Sequence, residues 1–272
     1  MSLNQYSGKS EDTIIFFVLI DLFIILKENV FVLGDFNNWV VKNEYQMKKD
    51  SIFWWLTIPN LDPDKEYAFQ YLIDGTLKVS DAYTEKVIDP WNDQYISTSV
   101  HPRLIYPKAA DGLVSVLQIN QPQYTWETTD FVEPSKENLI IYELLFRDFT
   151  AEGTVKAAME KLDYLKSLGI NAIELMPISE FDGNDSWGYN PNHYFAYDKA
   201  YGTRDDYKKF IDECHKRGIA VILDVVFNHA TGLNSFAKMY WSGSAPSAQN
   251  PWFNVVATHP YSVFNDFNHE YS

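Results

Sequence analysis

The chain has 272 residues, 46% of them hydrophobic, enough for a sizeable core in one large domain or two smaller ones. Its 37 Asp and Glu against 22 Lys and Arg give a net charge of -15, which repels a polyanion, so nucleic acid is excluded as a partner and a neutral ligand fits more easily. The one cysteine, Cys214, rules out an internal disulfide, and 16% aromatic residues suit either large-residue core packing or stacking on sugar faces.

The first marked element is TIIFFVLIDLFIIL, Thr13 to Leu26. It is too short to span a bilayer, and Asp21 interrupts it. No basic segment precedes it and no small-residue cleavage site follows, so neither a signal peptide nor a membrane partner is expected. Its β-branched and aromatic content predicts buried strands. Short strands separated by turns then run to residue 117. NVFVLGDFNNWV reads as a strand with a Gly-Asp turn, and SIFWWLTIP as a strand of mixed faces. EYAFQYLIDGTLKVSD reads as a hairpin turning at Asp74-Gly75, and IDPWND as a closing turn. This spacing predicts an Ig-like β-sandwich over residues 1–117. Residues 118–138 are polar, carry two prolines and show no period, which predicts a linker.

From residue 139 the pattern changes. LIIYELLF is a buried strand. TVKAAMEKLDYLKSLG is a helix with Val155, Ala158, Met159, Leu162, Leu165 and Leu168 on one face and Gly169 just past its end. INAIELMP is the next strand. TRDDYKKFIDECHKRG is a second helix, started by Thr203 and Asp206 as a capping box and ended by Gly218. Cys214 shares a face with Phe210 and Ile211 there, which predicts a core thiol. IAVILDVVF is the third strand. Strands that are apolar throughout and alternate with helices predict a parallel sheet covered by helices. The connections that leave its C-terminal ends are long and polar, and parallel α/β proteins place their sites there. Asp224, Asn228 and His229 fall where the third strand reaches those loops. A loop-capping Asp224 and a packed His229 explain the spacing equally well.

Several segments in order resemble the alpha-amylase family, glycoside hydrolase family 13. DVVFNH (Asp224–His229) is similar to the family's first conserved region, at the end of the third barrel strand. GINAIELMPISEF (Gly169–Phe181) resembles its second-strand segment, and WGYNPNHYFAYDKAYGT (Trp187–Thr203) the loop that follows. FNDFNHE (Phe264–Glu270) resembles the short motif before the fourth strand. VFVLGDFNNW and YLIDGTLKVSDAYTEKVIDPWND resemble the sandwich of carbohydrate-binding module family 48. The resemblance implies the first three β/α units of an incomplete (β/α)8 TIM barrel over residues 139–272, with a long loop after strand 3.

For the site, the resemblance implies that Tyr189 stacks on the sugar beside the scissile bond. His229 would hydrogen-bond that sugar's hydroxyls, and Asp224 would orient an arginine on the next strand. Asn228 is a calcium ligand in many members, although calcium takes about six to eight oxygens and that set is not visible in the sequence. In the sandwich, Trp39, Trp54 and Trp55 are candidates for a starch platform, with at least one of the adjacent pair expected in the core. The implied function is retaining hydrolysis of α-glucans: starch, glycogen or pullulan. The partner is therefore an α-glucan. The family's nucleophile, acid and supporting Asp follow strands four, five and seven, so no catalytic residue is assigned here. Asp182, Asp185, Asp198 and Glu270 match no motif. The chain is expected to be the N-terminal portion of a longer enzyme, inactive alone, with exposed strand edges that favour self-association. A non-catalytic α-glucan-binding fragment is the alternative.

Overall fold

The computed structural model describes residues 13–18, 27–50 and 53–270. The Thr13–Leu26 run is therefore described only as far as Val18; Asp21 and the second half of the run lie outside, as does Ser272. The N-terminal half folds as two antiparallel sheets. One pairs β1 (Thr13–Val18) with β4 (Trp54–Pro59), and β4 with β3 (Lys48–Lys49). The other has the order β2 (Val30–Gly34), β5 (Tyr67–Ile73), β8 (Val114–Leu117), β7 (Val87–Ile88), with β6 (Leu77–Val79) also on β5. Trp54, Leu56 and Ile58 of β4 are buried while Trp55, Thr57 and Pro59 alternate away from them, the period of a strand with one buried face. They pack against Val30, Val32, Tyr67, Phe69 and Tyr71 of the second sheet, which closes the sandwich core. The predicted hairpin is β5–β6, with Ile73 opposite Leu77.

The C-terminal half is built on three parallel strands, β9 (Ile141–Leu144), β10 (Ala172–Leu175) and β13 (Ala220–Leu223), with β10 in the middle. Between β9 and β10 lie α1 (Phe146–Phe149), α2 (Val155–Met159) and α3 (Leu162–Ser167). One continuous helix was expected here. Instead the chain tightens at Glu160–Lys161, where the Lys161 amide bonds the Ala158 carbonyl at 3.0 Å, a three-residue turn that keeps both pieces on one face. Val155, Ala158, Leu162 and Leu165 are fully buried, but Leu168 is 50% exposed because it falls past the last helical turn. Gly169 follows with φ +83°, as a helix-ending glycine should. Before β13 comes α4 (Arg204–Lys216), which starts at the predicted capping box: the Thr203 hydroxyl accepts from the Asp206 amide, and the Asp206 carboxylate accepts from the Thr203 amide at 2.9 Å. Cys214 is a core residue, and burial pushes its thiol up to about 12.

Residues 118–135 form no helix or strand, and a single 3₁₀ turn follows at Lys136–Asn138. The segment is a fastened strap. Asp212 of α4 accepts hydrogen bonds from the amides of Glu127 (2.8 Å) and Thr128 (2.9 Å) and from the Tyr124 hydroxyl (3.1 Å). The long polar loop after β10 also differs from expectation. It contains an antiparallel hairpin, β11 (Ser179–Phe181) with β12 (Pro191–Tyr197). Its buried residues include Glu180, Asn192 and His193, so no apolar alternation marked it. After β13 come β14 (His229–Ala230), α5 (Ser235–Met239), the short pair β15 (Trp241–Ser242) and β16 (Ala245–Pro246), and β17 (Asn265–Asp266), which pairs with β14. Met239 and Tyr240 enter the sandwich core, so the two halves share apolar packing. Ile140 and Ile141 at one edge of the parallel sheet, and Leu223, Val225 and Phe227 at the other, are exposed.

Candidate functional site

The hairpin tip between β11 and β12 carries Trp187, Gly188 and Tyr189. Gly188 sits at φ +90°, and a Cβ added there would lie 2.4 Å from the Pro177 carbonyl oxygen. Only glycine fits that approach, and it presses the tip onto the C-terminal end of β10. Asp224 is the first residue past β13; its amide still bonds the Leu175 carbonyl at 2.9 Å. These two placements meet: the Tyr189 hydroxyl donates to Asp224 Oδ2 at 2.5 Å. His229 closes the cluster from the other side, its Nε2 2.7 Å from the Tyr189 carbonyl oxygen. A carbonyl only accepts, so His229 carries its proton on Nε2. Tyr189 is thus held at its backbone by His229 and at its hydroxyl by Asp224, with the residue still 37% exposed. The Tyr194 hydroxyl anchors the His229 carbonyl at 2.5 Å.

His229 is buried, and its Nδ1 has no hydrogen-bond partner. Burial, the hydrogen bond to Asp224 and the charges of Asp224, Glu143 and Glu174 together hold the Tyr189 phenol well above its ordinary pKa. Glu143 and Glu174 were not singled out from the sequence. They are directly paired across β9 and β10 and alternate with the helix-facing residues Tyr142, Leu144, Ile173 and Leu175. They therefore project to the same inner face. The signal was present as a glutamate at the matching point of two apolar strands, YELL and IELM.

The other expected residues are spread more widely. Asn228 is exposed, and its carbonyl accepts from the Phe267 amide at 3.0 Å. The neighbouring carboxylate, Asp266, is taken up by the Asn254 side chain, the Thr258 amide and His259. Among the described residues no group of three or more His, Cys, Asp or Glu is arranged to hold a metal ion. In the sandwich, Trp54 is core, as expected of at least one of the adjacent pair, which leaves Trp39 and Trp55 as the platform candidates. Trp39 donates its indole N–H to Asp35 at 2.9 Å, and Lys48 lies over the half-buried Trp55. Asp185 pairs with Arg147 at 2.8 Å, Asp198 is buried, and Glu270 is exposed. Among the described residues no helix is long and apolar enough to cross a membrane.

The family profile "Alpha amylase, catalytic domain" matches residues 116–270, and "Carbohydrate-binding module 48 (Isoamylase N-terminal domain)" matches 27–92. A malto-oligosyltrehalose trehalohydrolase from Saccharolobus solfataricus is 37% identical over 142 residues, covering 52% of this chain and 25% of that protein. The 1,4-alpha-glucan branching enzyme GlgB of Photobacterium profundum is 32% identical over 206 residues, covering 74% and 27% respectively. Among solved structures, the catalytic module of the glycogen-degrading pneumococcal virulence factor SpuA, in complex with an inhibitor, superposes with a TM-score of 0.62 at 26% identity, covering 83% of this chain and 37% of that one. The chain thus spans about a quarter of the length of these curated relatives. With the family profile covering more than half of its residues, this chain belongs to the alpha-amylase family of glycoside hydrolases and carries a carbohydrate-binding module 48 ahead of its catalytic-domain segment.

Proposed function

We propose that the chain forms the sugar-gripping side of an α-glucan site in a retaining glycoside hydrolase, and that by itself it binds α-glucan without cleaving it. The supporting observation is the convergence of Tyr189, Asp224 and His229 at the C-terminal end of the parallel strands. A half-exposed ring fixed at both ends is a preorganised platform for the apolar face of a sugar. His229 supports that platform from beneath, by its hydrogen bond to the Tyr189 carbonyl. In this reading β9, β10 and β13 are the opening strands of a (β/α)8 barrel behind an Ig-like sandwich.

Retaining hydrolysis takes two carboxyl groups about 5–5.5 Å apart flanking the scissile bond. At the hairpin tip the nearby carboxylate, Asp224, is held by Tyr189. In this reading Asp224 and the paired strand carboxylates Glu143 and Glu174 are neither the nucleophile nor the acid, which are assigned to other polypeptide of the parent enzyme. Sandwich-borne glycan binding fits less well, because Trp54 is core and the Trp39 indole is engaged. Affinity electrophoresis through a starch gel tests the binding, and incubation with amylose and pullulan tests the chemistry. Retarded migration with no release of reducing ends is expected. Unretarded migration contradicts the binding claim, and turnover contradicts the assignment of the chemistry elsewhere.

A further inference from the structure

Two buried atoms without partners lie on directly paired residues of the β11–β12 hairpin. Glu180 and His193 are register partners, with a shift of register on either side of the pair; directly opposed residues share a face, with Cβ atoms about 4.5–5.5 Å apart in a regular ladder. Glu180 is 3% exposed and His193 0%. Each uses one polar atom. Glu180 Oε1 accepts from Lys199 Nζ at 2.5 Å, and His193 Nε2 lies 2.8 Å from Ser80 Oγ. The remaining atoms, Glu180 Oε2 and His193 Nδ1, have no hydrogen-bond partner. A buried carboxylate oxygen or imidazole nitrogen left this way costs about 1–3 kcal/mol.

Both used atoms lead into the sandwich. Lys199, itself buried, also pairs with Asp93 Oδ1 of the loop after β7 at 3.3 Å. Ser80 follows β6, and its hydroxyl lies 2.9 Å from the Ser235 hydroxyl of α5. The hairpin is therefore gripped by the sandwich at two points, with the unpartnered pair between them. Burial, assisted by the charges of Lys199 and Lys238, depresses His193 to about 3. The ring is neutral at ordinary pH, so one of its nitrogens must be an acceptor.

We infer that a single sequestered water bridges Glu180 Oε2 and His193 Nδ1, joining Asp93, Lys199, Glu180, His193, Ser80 and Ser235 into one polar relay that seats the β11–β12 hairpin on the sandwich. A water donating one hydrogen to each atom satisfies both. His193 then carries its proton on Nε2 and donates to Ser80, whose hydroxyl donates on to Ser235. The hairpin tip bears Tyr189, so Glu180 and His193 are positioning residues for the proposed sugar platform. That consequence rests on the functional reading above; the water site does not.

Two measurements on the wild-type chain test the site without a glycan. A crystal structure fine enough to place ordered waters should show one within hydrogen-bond distance of both atoms. Side-chain ¹⁵N NMR should show His193 as the Nε2–H tautomer. In Glu180→Leu the water should vanish, and amide exchange over residues 191–197 should quicken at least tenfold. A dry contact between the two atoms, a direct carboxyl–imidazole bond or the Nδ1–H tautomer overturns the proposal. If the water is present but Tyr189→Ala leaves glycan binding unchanged, the functional reading fails and the water site stands.

Discussion

Tyr189 carries more of this account than any other residue, and its two attachments separate cleanly. Its hydroxyl bond to Asp224 sets the ring's tilt, while its carbonyl bond to His229 sets the loop's position. Tyr189→Phe keeps the ring and loses one hydrogen bond, so thermal unfolding should report a loss of about 0.5–1.5 kcal/mol, with glycan affinity lowered far less than in Tyr189→Ala. Gly188→Ala is expected to be harsher. The added Cβ meets the Pro177 carbonyl at 2.4 Å in a backbone region that favours glycine, and about 1–3 kcal/mol is the scale of such strain. The check is a calorimetric melt, with faster amide exchange confined to the hairpin tip. A Gly188→Ala variant as stable as wild type would mean that the tip does not press on β10.

Among the elements, the strap over residues 118–138 yields a pH prediction. Burial raises the Asp212 carboxyl, and the amides of Glu127 and Thr128 with the hydroxyls of Thr128 and Tyr124 outweigh it, leaving it at about 2. An unfolded carboxylate titrates near 4. A depressed value means that the strap's contribution is complete above about pH 4 and is lost as pH falls toward 2. The Glu127 and Thr128 amide resonances should therefore titrate with a midpoint near 2, and a midpoint near 4 would show that the bonds do not form in solution. Asp212→Ala strands two amides and should cost about 1–3 kcal/mol by denaturant titration. Neither the strap nor the β11–β12 hairpin was legible as structure in the sequence, for a common reason. Their order comes from polar side chains bonded to residues far along the chain: Asp212 to Glu127, and His193 to Ser80. Local propensity and apolar period carry no trace of such pairs. The strands and helices with an apolar face were readable, because burial of Val155, Leu162 or Ile173 imposes a period on the sequence itself. At the site, Asp224 and His229 were readable as polar residues ending an apolar run. Glu143 and Glu174 were overlooked because each stands alone inside a strand.

For the whole molecule, the parallel sheet ends in apolar edges. Leu223, Val225 and Phe227 are exposed on one side, with Ile140 and Ile141 on the other. An unpaired edge with apolar neighbours recruits a second chain. A net charge of -15 opposes that recruitment, and salt screens the repulsion. Light scattering should therefore show association that grows with ionic strength, and Leu223→Lys with Val225→Lys should return the chain toward monomer. A monomer at every salt concentration would mean that the edges are protected.

The central claim is that glycan is held at the Tyr189–His229 cluster and not on the sandwich. The most direct measurement is calorimetric titration of maltotetraose into wild type, Tyr189→Ala and Trp55→Ala. Tyr189→Ala should weaken binding about tenfold or more, the loss of roughly 1.4 kcal/mol, while Trp55→Ala should bind as wild type does. Binding unchanged in Tyr189→Ala, or abolished in Trp55→Ala, would contradict that claim.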